Sequence, residues 1–160
     1  ILINEEIQNK RIIQNSLGGK VDKTDKTIEE TVTREFNEET GYLLSDLINS
    51  IYINISSTKN DRIILDQSKY IGCLYKIPDN EIKIWNNLPL IYSKIFRGKL
   101  EFNHQESLKI KWINVFDYNI NNLSYLLQQL LWKIRKMKKF KKFNKIEKKR
   151  IQDRECLFVD

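Results

Sequence analysis

Arg34-Glu35-Phe36-Asn37-Glu38-Glu39-Thr40-Gly41-Tyr42 decides how the whole chain is read. Just upstream, Thr27-Ile28-Glu29-Glu30 has the pattern of a capping box, with Thr27 as N-cap and Glu30 three residues on. Gly41 stands where a helix stops on a left-handed residue. Start, body and stop thus agree on one helix reaching to about Thr40. With Ile28 as zero and about 100° per residue, Glu35 falls near about −20° and Glu39 near about +20°. Glu38 falls near about −80°, and Val32 and Phe36 fall near about +40° and +80°. The three carboxylates therefore border the stripe that should be buried. Acids crowded there repel one another and resist desolvation. A divalent cation held by oxygen ligands relieves both penalties, and magnesium keeps water and substrate phosphate in its shell. Acidic runs are ordinarily solvated surface; the place of these acids beside Val32 and Phe36, behind a glycine turn, argues for a site instead.

That turn is Leu17-Gly18-Gly19-Lys20. Together with the block from Arg34 to Tyr42 it resembles the Nudix box, G-x5-E-x7-R-E-U-x-E-E-x-G-U with U apolar. The second half matches at every fixed position, with Phe36 and Tyr42 as the bulky residues. The first half departs from the pattern. Counted back from Arg34, the box's acid falls on Lys26 and its glycine on Lys20, so the loop is one residue longer. Asp25, with five residues between it and Gly19, is the stand-in for the acid, and Leu17 replaces the usual proline.

The resemblance implies an α/β chain, a Nudix-like α/β/α sandwich with a mixed central sheet, and a loop-helix-loop site for Mg2+ or Mn2+. Carried over position by position, Glu38 and Glu39 would be metal ligands. Glu35 would be a ligand or the base that activates water, and the carbonyl near Gly19 would complete the site. Arg34 would be structural, pairing with an acid such as Glu38 or Asp25, with Gly18 and Gly41 shaping the two turns. A further acid often stands in a loop before a late strand; Glu106, six residues before Trp112, is the candidate and Glu101 the fallback. His104, the single histidine, reads as a surface loop residue more readily than as a base. The implied reaction is hydrolysis of the pyrophosphate linkage in a nucleoside diphosphate joined to another group.

Away from the box, residues 1–4 and 11–14 read as short strands. Residues 51–55, 70–77 and 109–115 read as further strands from their β-branched and aromatic content. Residues 78–103, with Pro78 and Pro89, read as loop and irregular structure. Leu126, Leu127, Leu130, Leu131 and Ile134 mark an amphipathic helix beginning near Asn122, continued as a long basic C-terminal helix. The domain is placed at 1–137 and a basic extension at 138–160. Tyr52, Tyr70, Tyr75, Trp85, Tyr92 and Phe96 could stack on a base, although each also suits a core.

The chain has 160 residues, 41% of them apolar, which suits a single packed domain. Cys73 and Cys156 are far apart and form no metal-ligand or disulfide pattern, which favours a reducing compartment. No apolar run reaches the roughly 18 residues that span a bilayer, so a cytoplasmic protein is expected. The sequence opens at Ile1 in strand-like residues, and the gene product is expected to begin earlier. The net charge of +7 conceals an asymmetry. Residues 133–150 carry eleven cations against Glu147, a net +10, which leaves −3 for the rest. Lys133, Arg135, Lys136, Lys138, Lys139, Lys141 and Lys142, interleaved with Ile134, Met137, Phe140 and Phe143, could bind RNA phosphates. A membrane surface, a localisation signal or a solvated helical extension would use the same residues. If the segment binds RNA, capped mRNA is the attractive substrate. If it is inert, a nucleotide sugar, a dinucleoside polyphosphate or a damaged nucleoside triphosphate is. A catalytically silent Nudix-like RNA-binding module is a third reading, which the presence of Glu35, Glu38 and Glu39 disfavours. Nothing in the sequence bears on the oligomeric state.

Overall fold

The computed structural model describes residues 1–58, 62–65, 69–96 and 108–137. It opens with a hairpin of β1 (Leu2–Gln8) and β2 (Arg11–Ser16), paired antiparallel from Ile3↔Ser16 to Gln8↔Arg11. Asn9 and Lys10 close it with φ of 49° and 64°, the conformation a two-residue hairpin turn demands. β5 (Lys109–Trp112) pairs antiparallel with the other edge of β1, giving a sheet ordered β2-β1-β5. β3 (Ile63–Leu65) and β4 (Tyr70–Gly72) form a separate two-stranded antiparallel sheet. The expected mixed central sheet is therefore replaced, among the described residues, by two antiparallel ones. Among the described residues the one parallel feature is a bridge between Gln14 and Leu123.

Central strand β1 sends alternate side chains to opposite faces, as the period of two requires. Leu2 joins a core cluster with Ile51, Ile55, Trp85, Leu88 and Ile110, whereas Ile3 joins a second with Leu127, Leu130, Leu131 and Ile134. Helices thus cover both faces: α2 (Ile48–Ser57) and α3 (Ile82–Phe96) on one, α4 (Tyr125–Lys136) on the other. The catalytic candidate, α1 (Ile28–Glu39), packs with α2 on the Leu2 face. No described helix is long and apolar enough to cross a membrane.

Five sequence expectations are corrected here. Residues 51–55 are helix, not strand: Ile51 and Ile55, four apart, are buried together, while Ile53 is 61% exposed. Burial of a helical face has overridden the β-propensity of the Ile-Tyr-Ile run. The strand expected over 70–77 ends at Gly72, and that over 109–115 ends at Trp112. Much of the stretch expected to be irregular is α3, in which Trp85, Leu88 and Tyr92 bury one side. Pro89 lies inside that helix and cannot supply an N–H to the carbonyl four residues back, which belongs to Trp85. The indole Nε1 of Trp112 donates to that carbonyl instead, at 3.0 Å. The Leu126–Ile134 repeat does form α4, capped by Ser124, whose hydroxyl accepts from Leu127 N at 3.0 Å. The helix stops at Lys136, so the long basic continuation is not part of it, and residues 138–160 lie outside the described residues.

Candidate active site

Helix α1 has the local ends its sequence specifies. Thr27 Oγ1 accepts from Glu30 N at 3.2 Å. The Glu30 carboxylate reaches back one residue further than a capping box requires, accepting from Lys26 N at 2.7 Å. At the other end Gly41 N donates to Glu38 O at 3.0 Å and Tyr42 N to Asn37 O at 2.8 Å, the two bonds of a Schellman motif. Gly41 sits at φ +64°, with the Phe96 ring where a Cβ would stand. At the first turn buried Glu29 pairs with Arg62, which ties the helix start to the residue before β3.

Charge is distributed in an unusual way along this helix. Glu29 and Glu30 suit the positive N-terminal end, but Glu38 and Glu39 occupy the last turn, where no basic residue accompanies them. Acids at a helix C-terminus work against its dipole, by about 0.3–1 kcal/mol each at an exposed site. Glu39 is moreover 4% exposed. Local rules broken in one place without a packing reason are a mark of function.

The three acids are gathered onto the glycine turn and a single arginine. Glu39 Oε2 accepts from Gly18 N at 2.6 Å, and its Oε1 accepts from Asn4 Nδ2 at 3.0 Å. The Glu35 carboxylate lies against Gly19 so closely that a Cβ there would overlap it. Arg34 Nη1 donates to Glu35 Oε1 at 2.8 Å and to Glu38 Oε2 at 3.3 Å. Its Nε and Nη2 form a fork on Asp25, at 3.1 and 2.8 Å, and Nη2 also donates to the Lys20 carbonyl at 3.0 Å. That arginine holds the Asp25 carboxyl well below the usual carboxylate range, assisted by the backbone N–H of Asp22 and the hydroxyl of Thr31.

The loop between Gly19 and α1 is closed by a hydrogen-bonded turn. Asp22 O accepts from Asp25 N at 3.1 Å, while Asp25 Oδ2 accepts from Asp22 N at 2.8 Å. Asp22 Oδ1 accepts from the backbone and hydroxyl of Thr24. Lys23 and Thr24 thus form a tight turn that delivers Asp25 to Arg34.

The donor set suits a hard dication: carboxylate oxygens and backbone, with no sulfur or imidazole. The close seat of the Glu35 carboxylate on Gly19, which a Cβ there would displace, fits the same use. As they stand, however, no three acidic, histidine or cysteine side chains among the described residues converge closely enough to hold an ion. Glu35 and Glu38 face the guanidinium, and Glu39 faces Gly18 and Asn4. Glu106, Glu101 and His104 lie outside the described residues, as do Lys138, Lys139, Lys141 and Lys142.

Asn4 was not singled out from sequence; it follows an apolar strand run and nothing in its spacing marks it. The Lys20 carbonyl and the Thr31 hydroxyl were missed as well, the one because a backbone acceptor has no sequence signature and the other because its partner Asp25 is set by the turn. Behind α1, Phe36 packs tilted against Trp85 at 5.6 Å between ring centres, and Trp85 against Tyr75 at 5.5 Å. Tyr75 Oη and Trp85 Nε1 both donate to buried Glu81, at 2.7 and 3.1 Å. Burial, then that carboxylate, pushes the Tyr75 phenol well up. These rings, with Val32 and Leu17, border a largely apolar cavity of about 330 Å³.

Compared with known proteins, residues 2–119 match the family model described as NUDIX domain. No curated protein and no solved structure matches the chain.

Proposed function

The chain belongs to the Nudix family, and on that premise we propose that it is a Mg2+- or Mn2+-dependent pyrophosphohydrolase whose substrate is capped RNA. Membership itself implies hydrolysis of a pyrophosphate bond in a nucleotide-derived substrate. The observation that carries the assignment to this site is the gathering of Glu35 and Glu39 onto Gly19 and Gly18. Glu38 and Glu39 would hold the dication, with Glu35 as a further ligand or as the acceptor of the water proton. Arg34 is a positioning residue: it fixes the Glu35 and Glu38 carboxylates, and Asp25 fixes it. Gly19 admits the Glu35 carboxylate beside the backbone. When bound, the ion would offset phosphate charge and lower the pKa of the attacking water. Glu106 remains our proposal for the additional acid.

Support for the RNA half of the reading comes from the +10 segment at 133–150 and from its described beginning. On α4, Trp132 is 54% exposed with Lys136 Nζ 3.4 Å from its ring centre, and Tyr125 is 73% exposed. Exposed rings beside cations are what single-stranded nucleic acid stacks on. The aromatic cavity behind α1 supplies a second stacking surface near the glycine turn.

The test is a magnesium-supplemented screen against capped RNA, nucleotide sugars, dinucleoside polyphosphates and nucleoside triphosphates. Capped RNA should be cleaved, with cap nucleotide released and a rate that falls steeply with salt. Neutralising Lys138, Lys139, Lys141 and Lys142 to Gln should weaken RNA turnover and leave any small-nucleotide hydrolysis nearly unchanged. Glu39→Gln should lower turnover by orders of magnitude. Cleavage of small nucleotides alone would replace the RNA reading with a housecleaning one. No hydrolysis of any substrate, with RNA binding that survives chelation, would make the chain a silent binding module.

A further inference from the structure

Asn4 sits in the middle of the β2-β1-β5 sheet, paired with Asn15 on one side and Ile110 on the other, and is fully buried. Its Nδ2 carries two hydrogens and faces two carboxylates: Glu39 Oε1 at 3.0 Å and Glu6 Oε1 at 3.1 Å. An amide turned the other way would bring its carbonyl oxygen against both acids, and an aspartate would make a third acid. The donor therefore has one orientation that suits its surroundings. On the opposite oxygen of Glu39, Gly18 N donates at 2.6 Å. Glu39 is thus gripped from two rigid directions, a central strand and the glycine turn.

We propose that Asn4 is a positioning residue for the hydrolytic site, setting the plane of the Glu39 carboxylate so that it meets the dication in one orientation. The proposal rests on the reading of Glu39 as a ligand. Partners that orient a metal ligand from behind typically change metal affinity or activity by about 10–100-fold when removed, because the ligand must then be ordered by the ion itself. A residue that merely filled the strand would alter stability and leave metal dependence alone.

The decisive measurement compares wild type with Asn4→Leu, branched alike but without a donor, and Asn4→Thr, suited to a strand but too short for the bridge. Half-saturating Mg2+ is read from kinetics, and Mn2+ binding by electron paramagnetic resonance without substrate. Both variants should need at least about tenfold more metal, with substrate KM at saturating metal within about twofold of wild type. Glu6→Gln, which removes the other partner of Asn4, should leave the metal requirement within about twofold. Should neither Asn4 variant fold, the side-chain amide resonances of Asn4 in wild type serve instead. They should shift on saturation with Mg2+, and resonances that stay in place would overturn the idea. Variants that fold and keep the wild-type metal requirement would overturn it equally, leaving the reading of Glu39 untouched. A wild-type chain that binds no Mn2+ and hydrolyses nothing would remove both.

Discussion

Replacing Trp112 by Phe should cost stability in a way that depends on Pro89. In α3 the proline leaves the Trp85 carbonyl without its helical donor, and the Trp112 indole fills the vacancy at 3.0 Å. Trp85 is 4% exposed, so its carbonyl has little access to water once the indole N–H is gone. An unsatisfied buried acceptor costs about 1–3 kcal/mol. Trp112 is itself 37% exposed, which admits some solvent from its side and favours the lower end, about 1 kcal/mol. Phe also fills less space than Trp, and that packing loss must be separated from the hydrogen bond. Pro89→Ala makes the separation, because an alanine amide restores the bond to Trp85. In that background Trp112→Phe should lose only its packing share, giving a coupling of about 1 kcal/mol in a double-mutant cycle. Urea unfolding followed by far-ultraviolet circular dichroism measures all four proteins without relying on tryptophan emission. A cost of Trp112→Phe equal in both backgrounds, within about 0.3 kcal/mol, would refute the reasoning. The pair matters for the site because Trp85 is the ring on which Phe36 of α1 rests.

Other consequences can be checked directly. Asp25 has a depressed pKa through Arg34, so its contribution to stability is complete above its unfolded value of about 4 and is lost as pH falls below it. The stability gap between wild type and Asp25→Asn should therefore be flat above about pH 5 and close in acid; a gap that widened in acid would contradict the pairing. Gly19→Ala should abolish metal-dependent turnover, since the new methyl takes the place of the Glu35 carboxylate, while the melting temperature moves by only a few degrees; retained turnover would free Glu35 from that cradle. Gly41→Ala should destabilise by about 1 kcal/mol or more, from the positive φ and the Phe96 ring, as thermal unfolding would show.

Helix α1 was legible because its signals are local: Thr27 begins it, Gly41 ends it, and the acids fall at fixed angles on it. The charge contrast between body and tail was legible for the same reason, being a matter of counting. Helices α2 and α3 were not. Ile51, Tyr52 and Ile53 carry strand propensity, and only the tertiary pairing of Ile51 with Ile55 against the core makes them helical. Pro89 reads as a break until the partner that replaces its missing N–H is seen, 23 positions beyond it in sequence, at Trp112. Asn4 was invisible because its meaning lies in Glu39, 35 residues away.

The turn at Lys23 and Thr24 bears on how the acid reaches its arginine. A motif written as fixed intervals treats backbone count as the invariant, yet here Asp25 meets its guanidinium through a hydrogen-bonded reverse turn that begins at Asp22. What this loop presents to Arg34 is an electrostatic latch, not a ruler.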